Sequence, residues 1–338
     1  MKDTVKNTEL EKNVFAASAA DFSSLAMELF RFQYDNNPVY RQYCDIVHRD
    51  PVAIGRIEDI PFLPISFFKT HKVTSTDFEP EVVFESSGTT GTVSSRHYVK
   101  ELAVYKKSFT TCFERFYGSP ASKCIIGLLP SYLERQHSSL VMMVDELVKE
   151  SNNPQSGFYL YDLEKLHRTL MHNELLKIPT LLIGVTYALL DFAEQYPMHL
   201  RYTTVMETGG MKGRREEMTR RQVHELLQKQ FALGLVHSEY GMTELLSQAY
   251  SKGDGIFHCP SWMKVLLRDE DDPFHVRSAT ATINHPGTGA INVIDLANIY
   301  SCSFIATDDT GRLHNNESFE VLGRMDSSDI RGCSLLAL

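Results

Sequence analysis

The chain lacks the features that would tie it to a membrane, a nucleic acid or a disulfide framework. Its apolar runs fall far short of the roughly 20 consecutive residues a helix needs to cross a bilayer. Met1 to Asn13 is polar and charged and holds no apolar signal core. No Lys/Arg run interrupts a formal net charge of −9, which excludes a general nucleic-acid surface. The six cysteines, Cys44, Cys112, Cys124, Cys259, Cys302 and Cys333, form no Cys-x-x-Cys pair, so zinc ribbons and redox pairs are excluded. They read as reduced thiols of a cytoplasmic protein, several of them buried as small hydrophobes. Internal repeats, low-complexity tracts and Pro- or Gly-rich linkers are missing as well. What is present is 338 residues with 43% hydrophobic and 23% charged content, enough for one large core or two fused subdomains.

Against that background one stretch stands out: Ser86-Ser87-Gly88-Thr89-Thr90-Gly91, directly after the apolar run Val82-Val83-Phe84. Four hydroxyls and two glycines cannot build a core. They can build a concave turn whose N–H groups and hydroxyls converge on one anion, which is how nucleotide phosphates are gripped. No Gly-Lys-Ser/Thr closes the loop, so it is not a Walker A loop. Ser94 to Val99 reads as a strand, which makes the whole a hydroxyl-rich hairpin. A plain Ser/Thr/Gly turn is the competing explanation.

Along the rest of the chain, Phe22, Leu25, Ala26, Leu29 and Phe30 keep helical spacing up to Asn37-Pro38. Ile60 to Lys69 reads as an extended, proline-broken apolar stretch. Tyr105, Phe109, Cys112, Phe113 and Phe116 mark a helix ended by Gly118. Strands at Cys124–Leu129, Thr180–Gly184 and Tyr202–Met206 then alternate with helices around Leu140–Leu147, Tyr187–Tyr196 and Arg214–Leu233. This alternation predicts an α/β fold with mostly parallel sheet covered by helices, over residues 1–254. Short strands at Trp262–Arg268, Ile291–Ala297, Cys302–Thr307 and Phe319–Leu322 predict a smaller β-rich subdomain over 255–338.

Four further segments sit where such sheets place ligands, at loops after strands. Gly209 and Gly210, after the strand ending at Met206, would let a flat ring approach the backbone; a tight turn explains them equally well. In Ser238-Glu239-Tyr240-Gly241-Met242-Thr243-Glu244, Tyr240 can stack on a base, Thr243 can bond a phosphate and Glu244 can hold Mg²⁺ through oxygen; a capped, solvated loop is the plain alternative. Thr307-Asp308-Asp309-Thr310-Gly311-Arg312 offers a carboxylate for ribose hydroxyls, and alone reads as an acidic turn. Gly323-Arg324-Met325-Asp326 places Arg324 to reach ribose or phosphate, and alone reads as a polar turn.

In this order the loops resemble the adenylate-forming superfamily of acyl-CoA ligases and firefly-type luciferases. SSGTTG resembles its phosphate loop, YGMTE its adenine-and-magnesium motif, TDD-x-GR its ribose-aspartate motif and GRMD its hinge. The resemblance runs from Phe84 to Asp326. It implies ATP and Mg²⁺, with Ser86 to Gly91 on the phosphates, Tyr240 beside adenine, and Gly209, Gly210, Gly241 and Arg324 among the nucleotide-binding residues. It further implies Thr243 on the α-phosphate, Glu244 on the metal and Asp309 on ribose. Within that superfamily, Ile60–Lys69, Pro130–Val141, Glu239–Ser251 and Arg331–Leu336 resemble the acyl-protein synthetases, or long-chain-fatty-acid–luciferin-component ligases. That family activates a fatty acid with ATP and parks it on its own cysteine near the C-terminus for a partner reductase; Cys333 occupies the matching place.

Two departures qualify the resemblance. Val93-Ser94 stand where the superfamily often carries Pro-Lys, leaving Arg96 as a substitute charge. The sequence ends 12 residues after Asp326, short of the superfamily's mobile C-terminal domain and its catalytic lysine. A rotating two-domain ligase is therefore not expected, and Arg96, Lys212 and Arg324 are the candidate cations. The expected function is activation of a carboxylic acid, a fatty acid above others, as an acyl-adenylate. Transfer would follow to Cys333 or to a partner thiol, for an acyl-CoA reductase or a carrier protein. Adenylation of a small aromatic or amino acid, or a nucleotide-binding subunit with reduced catalysis, are the alternatives. His237, the Glu134-Arg135-His137 group and a tunnel lined by Phe67, Phe68, Met142 and Met143 carry less weight, and Lys212–Arg221 reads as a solvated helix face.

Overall fold

The computed structural model describes residues 10–86, 93–130, 137–210, 218–269, 271–279 and 287–325. Helix α1 (Phe22–Asn36) buries Phe22, Leu25, Ala26, Leu29 and Phe30 on one face, as their spacing predicts. It stops at Asn37, whose side chain accepts from the Tyr40 N–H and caps α2 (Pro38–Ile46), with proline at the first helical turn. The stretch expected to be wholly extended is so only through β1 (Leu63–Pro64); Phe67–Thr70 coils into the short helix α3. Both prolines lie upstream of that turn, so its backbone keeps the donors a helix needs. Next come β2 (Val82–Glu85), β3 (Arg96–Val99) and α4 (Leu102–Tyr117). Gly118 ends α4 with a φ of 74°.

The alternating region follows: β4 (Cys124–Leu128), α5 (Ser139–Ser151), β5 (Gly157–Phe158), α6 (Leu163–Leu175), β6 (Thr180–Gly184), α7 (Thr186–Gln195), β7 (Thr203–Glu207) and α8 (Arg220–Phe231). Helix α8 starts at Arg220 and not at the expected Arg214, which lies outside the described residues. Thr219 and Gln222 form a reciprocal capping box that fixes the start. The last elements are β8 (His237–Tyr240), β9 (Ala249–Ser251), β10 (Ile256–His258), β11 (Met263–Arg268), β12 (Val276–Arg277), β13 (Thr288–Asp295), β14 (Phe304–Leu313) and β15 (Phe319–Arg324).

These elements gather into two compact units. The first comprises Met1–Phe109, Met242–Gln248 and His258–Val321; the second comprises Thr110–Gly241, Ala249–Phe257 and Leu322–Leu338. In the second unit the strands run β5-β4-β6-β7-β8-β9. The pairs from β5 to β8 are parallel and β8–β9 is antiparallel. Every residue of β4 and β6 is buried, the pattern of strands covered by helices on both faces.

In the first unit β11, β13 and β14 form an antiparallel sheet, with β1 added in parallel to β14. Trp262 is fully buried there, its ring edge-on to Phe15 at 5.2 Å. The expected turn at Thr307–Arg312 lies instead inside β14. Register shifts between Ala290↔Thr310 and Asn292↔Ala306, so Thr307, Asp308 and Asp309 stand opposite Ile291 alone. The acidic residues therefore sit on a β-bulge, a device that re-aims side chains without ending the strand.

Candidate active site

The first unit holds the hairpin. β2 and β3 pair antiparallel from Val82↔Val99 to Glu85↔Arg96. The Ser86 N–H donates to the Ser95 carbonyl at 3.0 Å, and the Ser95 N–H donates to Ser86 Oγ at 2.8 Å. The hairpin is thus closed at its foot by a serine pair. Ser87, Gly88, Thr89, Thr90 and Gly91 lie outside the described residues. Alternation along β3 turns His97 and Val99 inward and leaves Arg96 exposed.

His97 connects this hairpin to the segment carrying Thr243 and Glu244. Its Nδ1 lies 2.8 Å from the Thr243 carbonyl oxygen. A carbonyl only accepts, so Nδ1 carries the proton. Burial pushes the His97 pKa down to about 4, against the upward pull of the bonds to Thr243 and Asn298. Asn298 Nδ2 donates to the Glu244 carbonyl at 2.7 Å. The Asp295 carboxylate takes the Leu246 N–H at 2.8 Å, the Ser247 N–H at 3.0 Å and the Ser247 hydroxyl at 2.6 Å. Trp262 Nε1 donates to Ser247 Oγ at 3.0 Å. Met242–Gln248 is therefore a built turn, with Glu244 only 2% exposed.

Asp309 is held in the same unit. Its N–H donates to Thr307 Oγ1 at 3.1 Å. The buried Arg268 guanidinium clamps the bulge from below, donating to the Thr307 carbonyl at 2.6 Å and the Ile291 carbonyl at 2.9 Å. Ser86, Arg96, Thr243, Glu244 and Asp309 thus share one unit, whereas Gly209, Gly210, Tyr240, Gly241 and Arg324 belong to the other.

In the second unit Gly209 and Gly210 have φ of 71° and 86°, a left-handed pair that only glycine adopts without strain. The turn is pinned from two sides. The Gly209 N–H donates to Glu207 Oε2 at 2.7 Å, and the Thr186 N–H at the head of α7 donates to the Gly209 carbonyl at 3.0 Å. Burial by itself would raise the Glu207 pKa. The His224 hydrogen bond, the Arg220 charge at 3.2 Å and Ser238 outweigh it and hold the pKa down at about 2. Arg220, at the end of the run read as a solvated face, is thus half-buried and structural. Tyr240 is buried with its ring edge-on to Phe257 at 5.9 Å.

On β8, His237 begins the strand, and Tyr117 Oη lies 3.1 Å from its Nδ1. Burial and then the Lys252 charge push the His237 pKa down to about 4. Burial and the Glu207 charge push Glu239 up to about 8. Phe68 is fully buried with its edge toward His97 at 5.9 Å, and Met143 is buried too, so both serve as core. Cys44, Cys112, Cys124 and Cys302 are buried as expected, and burial pushes Cys44 up to about 12. Cys333, Lys212, Glu134 and Arg135 lie outside the described residues. Among those described, no helix is long and apolar enough to cross a membrane.

Residues 14–118 match the family model of the acyl-protein synthetase, LuxE. The chain is similar to the acyl-protein synthetases. It is 43% identical over 68 residues to the long-chain-fatty-acid–luciferin-component ligase of Photorhabdus luminescens, covering 20% of this chain and 58% of that relative. It is 22% identical to the ligase of the same description from Aliivibrio fischeri, over 98% of this chain and 94% of that one. A crystal structure of 2-hydroxyisobutyryl-CoA ligase, open and in complex with 2-HIB-AMP and CoA, matches with a TM-score of 0.63 at 11% identity, over 91% of this chain and 71% of that one. The fold is accordingly that of the adenylate-forming enzymes. Sequence reasoning missed the residues that brace these candidate segments: His97, Asn298, Asp295 and Arg268 in the first unit and Arg220 in the second. Only His97 left a signal, as a polar residue at an inward position of a strand.

Proposed function

We propose that this protein activates a fatty acid with ATP and passes the acyl group to a thiol. The observation that carries the reading is the meeting of the hairpin strand and the Thr243–Glu244 turn in one unit, through His97 and Thr243 at 2.8 Å. Likeness to fatty-acid–luciferin-component ligases along nearly the whole chain supports the fatty acid. The 2-HIB-AMP held by the structurally similar ligase supports an adenylate intermediate.

In the first step a carboxylate oxygen attacks the α-phosphorus of ATP, the bond to the β-phosphate oxygen breaks, and acyl-adenylate and pyrophosphate form. Both reactants are anionic, so the protein's task is positioning and charge neutralisation. Ser86 to Gly91 would grip the phosphates and Thr243 the α-phosphate. Tyr240 would flank adenine, with Gly209, Gly210 and Gly241 near the nucleotide, Asp309 would take the ribose hydroxyls, and Arg96, Lys212 or Arg324 would supply a cation. Mg²⁺ fits Glu244, whose buried carboxylate offers hard oxygen donors. Bound there, Mg²⁺ supplies positive charge against the pyrophosphate oxygens.

In the second step a thiolate attacks the acyl carbonyl, a thioester forms and AMP leaves. Cys333 is the proposed acceptor, and a reductase is the proposed partner that then takes the acyl group. Fatty-acid-dependent ATP–pyrophosphate exchange tests the first step. Wild type should exchange and Glu244→Ala should lose about a hundredfold or more, the scale of one well-placed group; undiminished exchange refutes the role. Intact mass after mixing with ATP, Mg²⁺ and fatty acid tests the second: an acyl adduct should appear and be lost in Cys333→Ala.

A further inference from the structure

We propose that His97 is a positioning residue of this site. Its Nδ1–H, bonded to the Thr243 carbonyl, ties strand β3 to the Thr243–Glu244 turn and fixes that turn, where the proposed phosphate and metal ligands stand. The proposal rests on the adenylation reading above and adds the part that fixes the turn.

Four observations support it. The hairpin has two strands only, and such a pair is marginal unless anchored. Its anchor includes the cross-strand pair Phe84↔His97, both fully buried. At an inward strand position a valine or leucine would fill the space with nothing to satisfy; a buried imidazole must find a partner. His97 finds that partner in the peptide between Thr243 and Glu244, the two residues expected on phosphate and metal. The ring is also packed at nearly a right angle to Phe68, centroids 5.9 Å apart, and bonded to Asn298, which itself holds the Glu244 carbonyl. Finally, the turn is fastened at each successive step. Asn298 holds the Glu244 carbonyl and Asp295 holds Leu246 and Ser247. His97 supplies the tie from the hairpin side.

The atom that donates makes the test specific. Nδ1 of histidine is matched in position by the amide nitrogen of asparagine, whereas glutamine matches Nε2. His97→Asn, His97→Gln and His97→Leu are compared in two measurements. The first is the KM for Mg·ATP in fatty-acid-driven pyrophosphate exchange. Asparagine should stay within about threefold of wild type, while glutamine and leucine rise about tenfold or more, the scale of one buried hydrogen bond. A merely space-filling role gives the opposite ranking, with leucine and glutamine ahead of the smaller asparagine, and overturns the proposal. The second is amide hydrogen exchange over residues 242–248 without nucleotide, which should quicken in the glutamine and leucine variants and stay slow in the asparagine variant. Equal exchange in all three overturns it as well. Absence of pyrophosphate exchange in wild type refutes the adenylation reading, and the hydrogen-exchange ranking still decides whether His97 sets the turn. If His97→Asn fails to fold, ring nitrogen shifts of the wild-type histidines decide: no neutral imidazole protonated at Nδ1 overturns the proposal.

Discussion

Asp295 shows how a single side chain can hold a functional segment from underneath. Its carboxylate gathers the Leu246 and Ser247 N–H groups, the Ser247 hydroxyl and the Ala297 N–H, all within 3.1 Å. Asp295→Ala leaves these buried donors without an acceptor. The expected cost is on the order of 3 kcal/mol, since each orphaned donor loses water without compensation. Urea unfolding should show a lower midpoint at an unchanged slope. Asp295 lies 49 and 48 residues from Leu246 and Ser247, so no local pattern announced its hold on that turn. Glu244 and Thr243, by contrast, stand out in the sequence as candidates, because the proposed roles follow from their residue types and spacing.

At the scale of elements, the hairpin limbs, the helix spacing of α1 and α4 and the strands β4, β6 and β7 follow from periodicity, because one face of each must be apolar to be buried. The bulge in β14 does not. It arises because β13 offers one residue where β14 brings three, and only the pairing of the two strands creates the mismatch. Gly311 belongs to the same close contact. A Cβ there would come within 2.6 Å of the Glu320 carbonyl and 2.7 Å of Ile291 Cδ1. Backbone cannot yield as a flexible side chain can. Gly311→Ala should therefore force β14 and β15 apart and cost about 1–3 kcal/mol, read as a lower Tm. An unchanged Tm would mean the strands separate freely. The glycine of the TDD-x-GR segment is thus explained by strand packing, whatever binds to Asp309.

For the whole molecule the buried ionisable groups set how stability depends on pH. His97 and His237 have pKa values near 4 in the fold against 6.5 when free. The unfolded chain therefore binds protons below pH 6.5 that the folded chain refuses, and stability falls with acid over that window. Glu239 works the other way. Folded, it keeps its proton to about pH 8, against 4.5 unfolded, so its contribution is full below 4.5 and is lost as pH rises to 8. Above pH 6.5 the histidines no longer oppose it. Stability should turn downward near pH 6.5 and fall by about 1.4 kcal/mol per unit up to pH 8. Calorimetric Tm between pH 5 and 8.5 checks this, and Glu239→Gln should remove the decline on the alkaline side. The amino-acid sequence alone settled the alternation of strands and helices and the two strands that flank the hydroxyl-rich segment, because each is encoded within a few neighbouring residues. Tertiary structure alone decided that His97 meets Thr243, that Asp295 and Asn298 carry the turn, and that Arg220 turns inward to Glu207. Those contacts join residues far apart in the chain, and their strength depends on exclusion of water, a property that no residue has before the chain folds.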